Sequence, residues 1–311
     1  MKLNSFFFSL FFICLITSGF AQSKANEQEV KINPLINGTL LTSATDSTTL
    51  AIIIPGSGPT DRNGNQRMMQ NNSLKLLAEG LTKNGISTFR YDKRIFALVA
   101  QNNLKEEELD FKDFVDDAVD VANYFKDHGY NKIILVGHSQ GALIAMLAAK
   151  ETDVAKVVSL NGAAESVDKL IVKQLEKQAP ALKEDAERAF EDLKTNGKAE
   201  KFSPGLFSLL RPSVQPFMRS WMLYDPAEII KSLDIPVLII TGSKDLQVPP
   251  ADGEILSAAK PDAKYVNIEN MNHILKEVKG DDDIENSKTY SESYLPVMTE
   301  AITVISEFIK E

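Results

Sequence analysis

The chain has 311 residues, of which 43% are hydrophobic and 25% charged, a composition typical of a globular protein with a sizeable core. Its formal net charge is −9 and no basic patch stands out, which excludes nucleic acid as an expected partner. The length fits one large α/β domain with an insertion better than two independent domains.

The first 21 residues have the pattern of a secretory signal peptide. Lys2 supplies a positive charge, residues 6–16 are apolar, and small residues precede an expected cleavage site after Ala21. The apolar stretch is too short for a stable membrane anchor, although an uncleaved N-terminal anchor is the alternative. We therefore expect an exported protein, periplasmic or extracellular, whose mature chain covers residues 22–311 without stable membrane insertion.

Cysteine usage restricts the chemistry of the mature chain. The only cysteine is Cys14, inside the predicted signal peptide. The mature chain would therefore have no disulfide, no thiolate metal site and no cysteine nucleophile. The sequence predicts neither a metal site nor an organic cofactor.

Strands and helices alternate along most of the remaining chain. The pattern predicts, in chain order, a hairpin (30–35 and 38–42), a strand (49–54), a helix (from 74, closed at 84–85), a strand (87–91), a helix (111–126), a strand (133–136), a helix (142–150), a strand (157–160), and later a strand (236–241), a helix, a strand (265–268) and a helix (295–309). Such alternation favours a mostly parallel sheet with helices on both faces. The alternation stops at about residues 165–231, which we interpret as a helical cap over the strand ends.

The segment Gly137-His138-Ser139-Gln140-Gly141 lies between a buried-type strand and a helix of small residues. In this context the G-x-S-x-G pattern indicates a strained turn that raises the serine hydroxyl above the sheet edge. Both glycines are expected because the strand and the helix pass too closely for a Cβ atom. Ser139 is therefore the predicted nucleophile, next to the free N–H groups of the first helical turn.

A serine hydroxyl becomes a good nucleophile when an adjacent imidazole accepts its proton. The chain has three histidines. His138 is expected to project away from the serine hydroxyl, and His128 to cap a helix at the opposite edge of the sheet. His273, in the loop after the last predicted strand, remains as the predicted general base.

The imidazole needs a carboxylate that orients it. Asp245 follows the preceding predicted strand and is the candidate, although its alternative role is to cap the next helix. Glu269 is the second candidate for this carboxylate. The candidates occur along the chain in the order serine, carboxylate, histidine: Ser139, Asp245, His273. This order is typical of one particular fold and differs from that of chymotrypsin-like and subtilisin-like chains.

Attack on a carbonyl also requires donors for the developing oxyanion. One predicted donor is the backbone N–H of Gln140. The other should come from the glycine-rich loop after Ile54, where Ser57 is preferred and Gly58 is the alternative. The loop lacks the Lys-Ser/Thr pair of a nucleotide-binding loop.

Together these residues resemble the α/β-hydrolase superfamily, over nearly all of the mature chain. The resemblance is closest to bacterial esterases and serine-aminopeptidase-like hydrolases that carry Pro-Gly-Ser-Gly-Pro-Thr-Asp-Arg-x-Gly-Asn in the oxyanion loop, here residues 55–65. Segments between residues 224 and 249 are also similar to that group. The resemblance implies an α/β-hydrolase fold with a cap, a triad of Ser139, Asp245 and His273, and oxyanion N–H groups from Ser57 and Gln140.

One segment departs from the pattern of these relatives. Residues 95–99 are Ile-Phe-Ala-Leu-Val, where glycine and small polar residues usually stand. Two interpretations stay open: a loop that lines an acyl pocket, or a loop packed beneath the cap. Asp61 and Arg62 are expected to brace the oxyanion loop rather than bind substrate. Apolar cap residues are either a roof over the site or ordinary packing: Phe217, Trp221 and Met222.

The sequence thus predicts a secreted or periplasmic serine hydrolase, a carboxylesterase acting on small to medium acyl esters through an acyl-enzyme. Its expected partner is a small-molecule ester or acyl substrate. A serine-aminopeptidase-like peptidase is an alternative, with Glu165 and Asp168 available to hold a substrate ammonium. A thioesterase, and a non-catalytic binding protein on the same fold, are further alternatives. Substrate and oligomeric state do not follow from the sequence.

Overall fold

A computed structural model of the protein describes residues 26–46 and 48–311. The predicted signal peptide lies outside the described residues. Eight strands form one sheet, in the order β1-β2-β4-β3-β5-β6-β7-β8. The strands are β1 Asn26–Lys31, β2 Asn37–Thr42, β3 Thr49–Ile54, β4 Ser87–Tyr91, β5 Lys132–His138, β6 Lys156–Leu160, β7 Val237–Gly242 and β8 Lys264–Ile268.

The sheet is antiparallel at one edge and parallel elsewhere. β2 runs antiparallel to both β1 and β4, whereas β4, β3, β5, β6, β7 and β8 are mutually parallel. The predicted hairpin is present, but its first strand lies earlier than the predicted residues 30–35 and ends at Lys31. Every residue of β3, β4, β6 and β7 is buried, as expected for strands that are covered on both faces.

Twelve α-helices surround this sheet in the described part of the chain. They are α1 Ser73–Lys83, α2 Arg94–Ala100, α3 Phe111–Asp127, α4 Gln140–Ala148, α5 Val167–Gln178, α6 Lys183–Asn196, α7 Phe207–Leu210, α8 Gln215–Trp221, α9 Pro226–Lys231, α10 Pro250–Ala259, α11 Asp283–Lys288 and α12 Thr299–Lys310. The last helix begins later than predicted, after Pro296, because a proline disfavours helical backbone in the preceding residue and lacks an N–H donor.

Two hydrophobic cores lie on the two faces of the sheet. Side chains of α1 and α12 pack on one face, and side chains of α3, α4, α9 and α10 pack on the other. All nine residues of α4 are buried, which places this helix in the interior. The expected α/β sandwich is therefore present, and it fixes where the parallel strands end.

The region between β6 and β7 has a small core of its own. Apolar side chains of α5, α6, α7 and α8 pack together there, including Phe190, Leu210 and Met218. The last helix of this region, α9, packs instead against α4 and α10 of the main body. No helix in residues 26–46 and 48–311 combines the length and apolar character that crossing a bilayer requires.

Residues 95–99, interpreted from the sequence as part of a loop, belong to helix α2. No residue of this helix is buried, and Val99 is 57% exposed. Ile95 packs against the core beneath it. The apolar run was mistaken for a loop because a single two-turn helix is too short to show a clear period.

Candidate active site

Ser139 lies at the turn between β5 and α4, as the sequence predicts. Its backbone has φ 55° and ψ −121°, a strained conformation for a residue with a Cβ atom. Its N–H donates to the carbonyl oxygen of Leu160 in β6, at 2.9 Å, which ties the turn to the neighbouring strand. The serine is thus held at the carboxyl end of the parallel strands, where the following loops converge.

The two glycines of the turn are required by close backbone contacts. A Cβ atom on Gly137 would lie 2.1 Å from the carbonyl oxygen of Gly141. A Cβ atom on Gly141 would lie 2.3 Å from the carbonyl oxygen of Ile54. Both distances are far below van der Waals contact, so a larger residue at Gly137 would push α4 away from β5, and one at Gly141 would push the turn away from β3.

His273 and Asp245 form a buried hydrogen-bonded pair. The distance from His273 Nδ1 to Asp245 Oδ2 is 2.7 Å, and the Asp245 side chain is fully buried. The other carboxylate oxygen accepts the backbone N–H groups of Gln247 and Val248, at 2.7 and 2.9 Å. Glu269, the second candidate, is exposed. A carboxylate acceptor at Nδ1 leaves Nε2 of His273 as the nitrogen free to accept a proton.

Ser139 and His273 line the same small cavity, together with Gly56 and Ser57. No hydrogen bond joins the serine hydroxyl to the imidazole within the described residues. Catalytic pairs frequently tighten only when substrate is bound. Ser139 and His273 thus line one cavity at the carboxyl edge of the sheet, and Asp245 is hydrogen-bonded to His273.

The loop that carries His273 is held by a buried amide, Asn272. Its side-chain oxygen accepts from the N–H groups of Ile274 and Lys276, and its amide nitrogen donates to Asn286 and Thr289. All four contacts lie within 3.2 Å. This residue immediately precedes the base, and sequence reasoning assigned it no role.

Two further side chains bind the backbone of the base. His138 Nε2 lies 2.7 Å from the carbonyl oxygen of His273, and Asn161 Nδ2 donates to the same oxygen at 2.9 Å. Burial, reinforced by the neighbouring His273 ring, lowers the pKa of His138 to about 3, so its ring is neutral. Because a carbonyl oxygen only accepts, Nε2 of His138 carries the proton. His138 therefore faces the base loop and holds it, a role that the sequence did not reveal.

The oxyanion loop, residues 55–65, is braced by its own polar side chains. One oxygen of Asp61 accepts the N–H groups of Asn63 and Asn65, each at 2.8 Å. Arg62 donates through Nε and Nη2 to Asp92, at 2.9 and 2.7 Å, and pairs with the more exposed Glu29. These contacts give Asp61 and Arg62 the bracing role that was preferred for them.

The predicted oxyanion donors come from two segments that lie side by side. A Cβ atom on Gly56 would lie 3.2 Å from the Cβ atom of Ser139, so the loop passes directly over the nucleophile. Gln140 is the first residue of α4, where a backbone N–H has no acceptor within its helix. The N–H of Ser57 also has no acceptor within the described residues. Both N–H groups are thus available beside Ser139.

Two cavities meet at Ser139. The smaller has a volume of about 70 Å³ and is lined largely by polar residues, including His273 and Tyr290. The larger has a volume of about 560 Å³ and extends under the cap. Its apolar lining comes from α4 and the cap helices: Leu143, Val167, Leu170, Ile171, Phe217, Met218 and Trp221.

The lining of the larger cavity resolves two open interpretations. Phe217 and Trp221 contribute to its wall, whereas Met222 packs in the core of the cap. No residue of α2 lines it, so residues 95–99 do not form an acyl pocket there. In residues 26–46 and 48–311, no group of three or more His, Cys, Asp or Glu side chains is arranged to hold a metal ion.

Solved structures with low sequence identity to this chain share the fold. Est1E from Butyrivibrio proteoclasticus is 20% identical, with a TM-score of 0.56 over 91% of this chain and 97% of that one. A dienelactone hydrolase from Anabaena variabilis is 16% identical, with a TM-score of 0.55 over 92% of this chain and 98% of that one. At this level of identity, the similarity establishes the arrangement of strands and helices.

Sequence comparison gives a closer relationship. Esterase EstD of Thermotoga maritima is 26% identical over 254 residues, which are 80% of this chain and 60% of that protein. The chain thus matches less than two thirds of this relative's length. The model of the alpha/beta hydrolase family matches residues 40–275, which run from β2 to the loop that carries His273. Because that match spans most of the chain, the protein belongs to the alpha/beta hydrolase family.

Proposed function

We propose that the protein is an exported serine hydrolase that cleaves carboxylic esters with small to medium acyl groups. One observation carries this proposal. The Asp245–His273 hydrogen bond of 2.7 Å and the strained turn of Ser139 converge on one cavity, next to two free backbone N–H groups. This combination matches the requirements of acyl transfer through a covalent intermediate.

In the proposed acylation step, Ser139 Oγ attacks the carbonyl carbon of the ester while His273 Nε2 accepts the hydroxyl proton. Asp245 holds the imidazole orientation and stabilises its positive charge. The N–H groups of Ser57 and Gln140 stabilise the oxyanion, each contributing a factor on the order of 10²–10³ in rate. His273 then gives its proton to the departing alcohol oxygen, and the ester bond between Ser139 and the acyl group remains.

Deacylation reverses these roles with water as the nucleophile. His273 accepts a proton from the water molecule, whose oxygen attacks the acyl carbon. The second tetrahedral intermediate uses the same two N–H donors. Its collapse breaks the bond to Ser139 Oγ, which regains the proton from His273, and the carboxylic acid leaves. No group beyond the residues named here is needed for the proton balance.

The two cavities suggest how an ester would be oriented. His273 lines the small polar cavity and is absent from the lining of the large one. The alcohol oxygen must accept its proton from His273, so the alcohol is assigned to the small cavity. The acyl chain is then assigned to the large cavity, where the apolar walls of α4 and the cap remove it from water.

The direct test compares hydrolysis of p-nitrophenyl acetate and butyrate by the wild type and by Ser139→Ala. We expect a loss of about 10⁶-fold in kcat, by analogy with other serine triads. Ser232→Ala is the matched control, because Ser232 is an exposed serine at the end of α9. Equal rates for Ser139→Ala and the wild type would refute the proposal.

A peptidase that holds a substrate ammonium is less well supported. Glu165 is paired with Lys173, and Asp168 with Lys194. Both candidate carboxylates are therefore already neutralised by lysines of the cap. A panel of aminoacyl-naphthylamides, thioesters and simple esters at one protein concentration distinguishes the three reactions. Failure of a fluorophosphonate to label Ser139 in folded protein would favour a non-catalytic role.

Export is proposed from the composition of residues 1–21 alone. If the segment directs secretion, protein recovered outside the cytoplasm begins at Gln22. N-terminal sequencing of the recovered protein tests this. Full-length protein retained in the cytoplasm would contradict it.

A further inference from the structure

Lys93 is a buried lysine without a carboxylate partner. It follows β4 and is 4% exposed, and its Nζ makes two hydrogen bonds, to Gln140 Oε1 at 2.7 Å and to the carbonyl oxygen of Gly58 at 3.3 Å. The ammonium also lies 5.4 Å from the centre of the Phe114 ring. Its contacts are therefore one amide, one backbone carbonyl and one aromatic face.

The charged residues on either side of Lys93 are paired in the usual way. Asp92 accepts from Arg62, and Arg94 binds the buried carboxylate of Asp117 on α3. Among residues 92–94, Lys93 is the one without a counter-ion. Burial lowers its pKa to about 7. An unpaired buried charge opposes folding, which a methionine of similar length would avoid. The position of Lys93 therefore calls for a role other than packing.

The two partners of Lys93 are the two halves of the proposed oxyanion hole. Gly58 is next to Ser57 in the oxyanion loop, and Gln140 is the first residue of the helix after the nucleophile. Lys93 is the one side chain in the described part of the chain that hydrogen-bonds to both segments. Its Nζ atom thus bridges the two segments, through the Gly58 carbonyl oxygen on one side and the Gln140 side-chain oxygen on the other.

We propose that Lys93 is the positioning residue of the oxyanion hole, linking the loop that carries the Ser57 N–H to the residue that carries the Gln140 N–H. This proposal rests on the serine hydrolase function proposed above. An oxyanion donor acts only when it lies at hydrogen-bond distance from the site where the charge develops. A misplacement of about 1 Å in such a site can cost on the order of 10² in rate.

Three variants test the link. Lys93→Met removes both the donor and the charge at nearly the same length, and Lys93→Gln retains a shorter, uncharged donor. Lys156→Met is the matched control, since Lys156 is also buried, donates to the Phe308 carbonyl oxygen and lies over the Phe308 ring. It begins β6, at the end of the parallel strands opposite the site.

The kinetic readout separates positioning from binding. Lys93→Met is expected to lower kcat by about 10- to 100-fold with little change in KM, because the contacts matter for the transition state. Lys93→Gln should lie between Lys93→Met and the wild type, and Lys156→Met should retain the wild-type kcat. Thermal unfolding of Lys93→Met should occur at the wild-type temperature or above, so loss of folded protein does not account for the lower kcat.

Hydrogen exchange provides a readout that needs no turnover. Losing a hydrogen bond from a charged donor should speed exchange by about 10- to 100-fold in peptides covering residues 56–65 and 138–142. Lys156→Met should leave both peptides at wild-type exchange. Wild-type exchange in both peptides of Lys93→Met overturns the proposal, and so does faster exchange with an unchanged kcat. If Lys93→Met does not fold, Lys93→Gln is judged by the same two criteria.

Failure of the proposed function gives a different pattern. A wild type that hydrolyses no ester in the panel contradicts the esterase proposal. The exchange comparison then still decides whether Lys93 holds the two segments together.

Discussion

The two sides of the site are held by different kinds of contact. On the acid–base side, His273 is fixed through its ring by Asp245 and through its carbonyl oxygen by His138 and Asn161. These contacts are buried and redundant. On the oxyanion side, the loop above Ser139 has exposed residues at its tip, Ser57 and Gly58, and is held from behind by Arg62–Asp92 and Lys93.

This difference follows from what each side must do. In the proposed mechanism His273 must keep one tautomer and one orientation during proton transfer, which favours rigid, buried hydrogen bonds. The oxyanion loop must admit substrate to the cavity beside it, so its tip cannot be buried by protein. We therefore expect damage to the acid–base side to cost more activity than damage to the supports of the loop.

After Ser139→Ala, the largest effect is expected for Asp245→Asn. An amide facing Nδ1 of His273 would favour the wrong tautomer, and kcat should fall by about 10⁴-fold with the fold retained. Steady-state kinetics with p-nitrophenyl butyrate measures this. Glu269→Gln is the control, since Glu269 is the exposed alternative carboxylate and should have wild-type kcat. A larger loss in Glu269→Gln than in Asp245→Asn would reverse the assignment.

Asn161→Gly tests the hydrogen bond that the Asn161 amide donates to the carbonyl oxygen of His273. Asn161 has φ 50°, which glycine tolerates, so the substitution removes the amide without straining the backbone. Losing the bond to the His273 carbonyl should lower kcat/KM by about 10- to 100-fold. Asn102→Gly is the matched control, because Asn102 has φ 52° and is exposed. Equal activity of the two variants would show that the remaining contacts hold His273 without Asn161.

Much of the fold follows from local pattern, and the exceptions have physical causes. The strands 49–54 and 87–91 were predicted with the bounds observed, because both are rich in β-branched or aromatic residues and border turn residues, Pro55-Gly56 and Asn84-Gly85. Helix α2 was missed because it covers only seven residues. Which of the cap residues line the cavity could not be predicted, since that depends on how helices from distant parts of the chain pack together.

The residues of the site also differ in whether a local sequence pattern identifies them. The sequence pattern suggested Ser139, Asp245 and His273 as candidates because each follows a recognisable strand, and it drew them from different parts of the chain. His138, Asn161 and Lys93 could not, since their partners lie 135, 112 and 35 to 47 positions away in the sequence. A buried donor carries no local signal of which distant acceptor it binds. Asn272, immediately before the base, was the one support whose position in the sequence could have drawn attention to it.

Lys93 also predicts how stability changes with pH. Its pKa is lowered to about 7 in the folded protein, whereas an unfolded lysine titrates near 10.4. Between these values the unfolded chain binds more protons, so the free energy of unfolding rises with pH. Relative to Lys93→Met, the wild type should gain about 2 kcal/mol from pH 7 to pH 9. Urea titrations of both proteins at pH 7, 8 and 9 measure the difference, and parallel curves would contradict it.

The smallest effect is expected at the outer brace of the oxyanion loop. Asp92→Asn weakens a partly buried, two-point pair with Arg62 and should lower the free energy of unfolding by about 1–2 kcal/mol, with a loss of about threefold in kcat. Glu29→Gln removes the more exposed partner of the same arginine and should cost less than about 0.5 kcal/mol. Urea unfolding and ester kinetics measure the free energy of unfolding and kcat of both variants. A larger loss in Glu29→Gln than in Asp92→Asn would contradict the prediction.

The most direct test of the central claim is a crystal structure of the protein after reaction with an alkyl fluorophosphonate. We predict phosphorus bound to Ser139 Oγ, with the phosphoryl oxygen about 2.7–3.1 Å from the backbone nitrogens of Ser57 and Gln140. Nε2 of His273 should lie within hydrogen-bond distance of an oxygen of the adduct. An adduct on another residue, or an imidazole turned away from Ser139 in the adduct, would contradict the account.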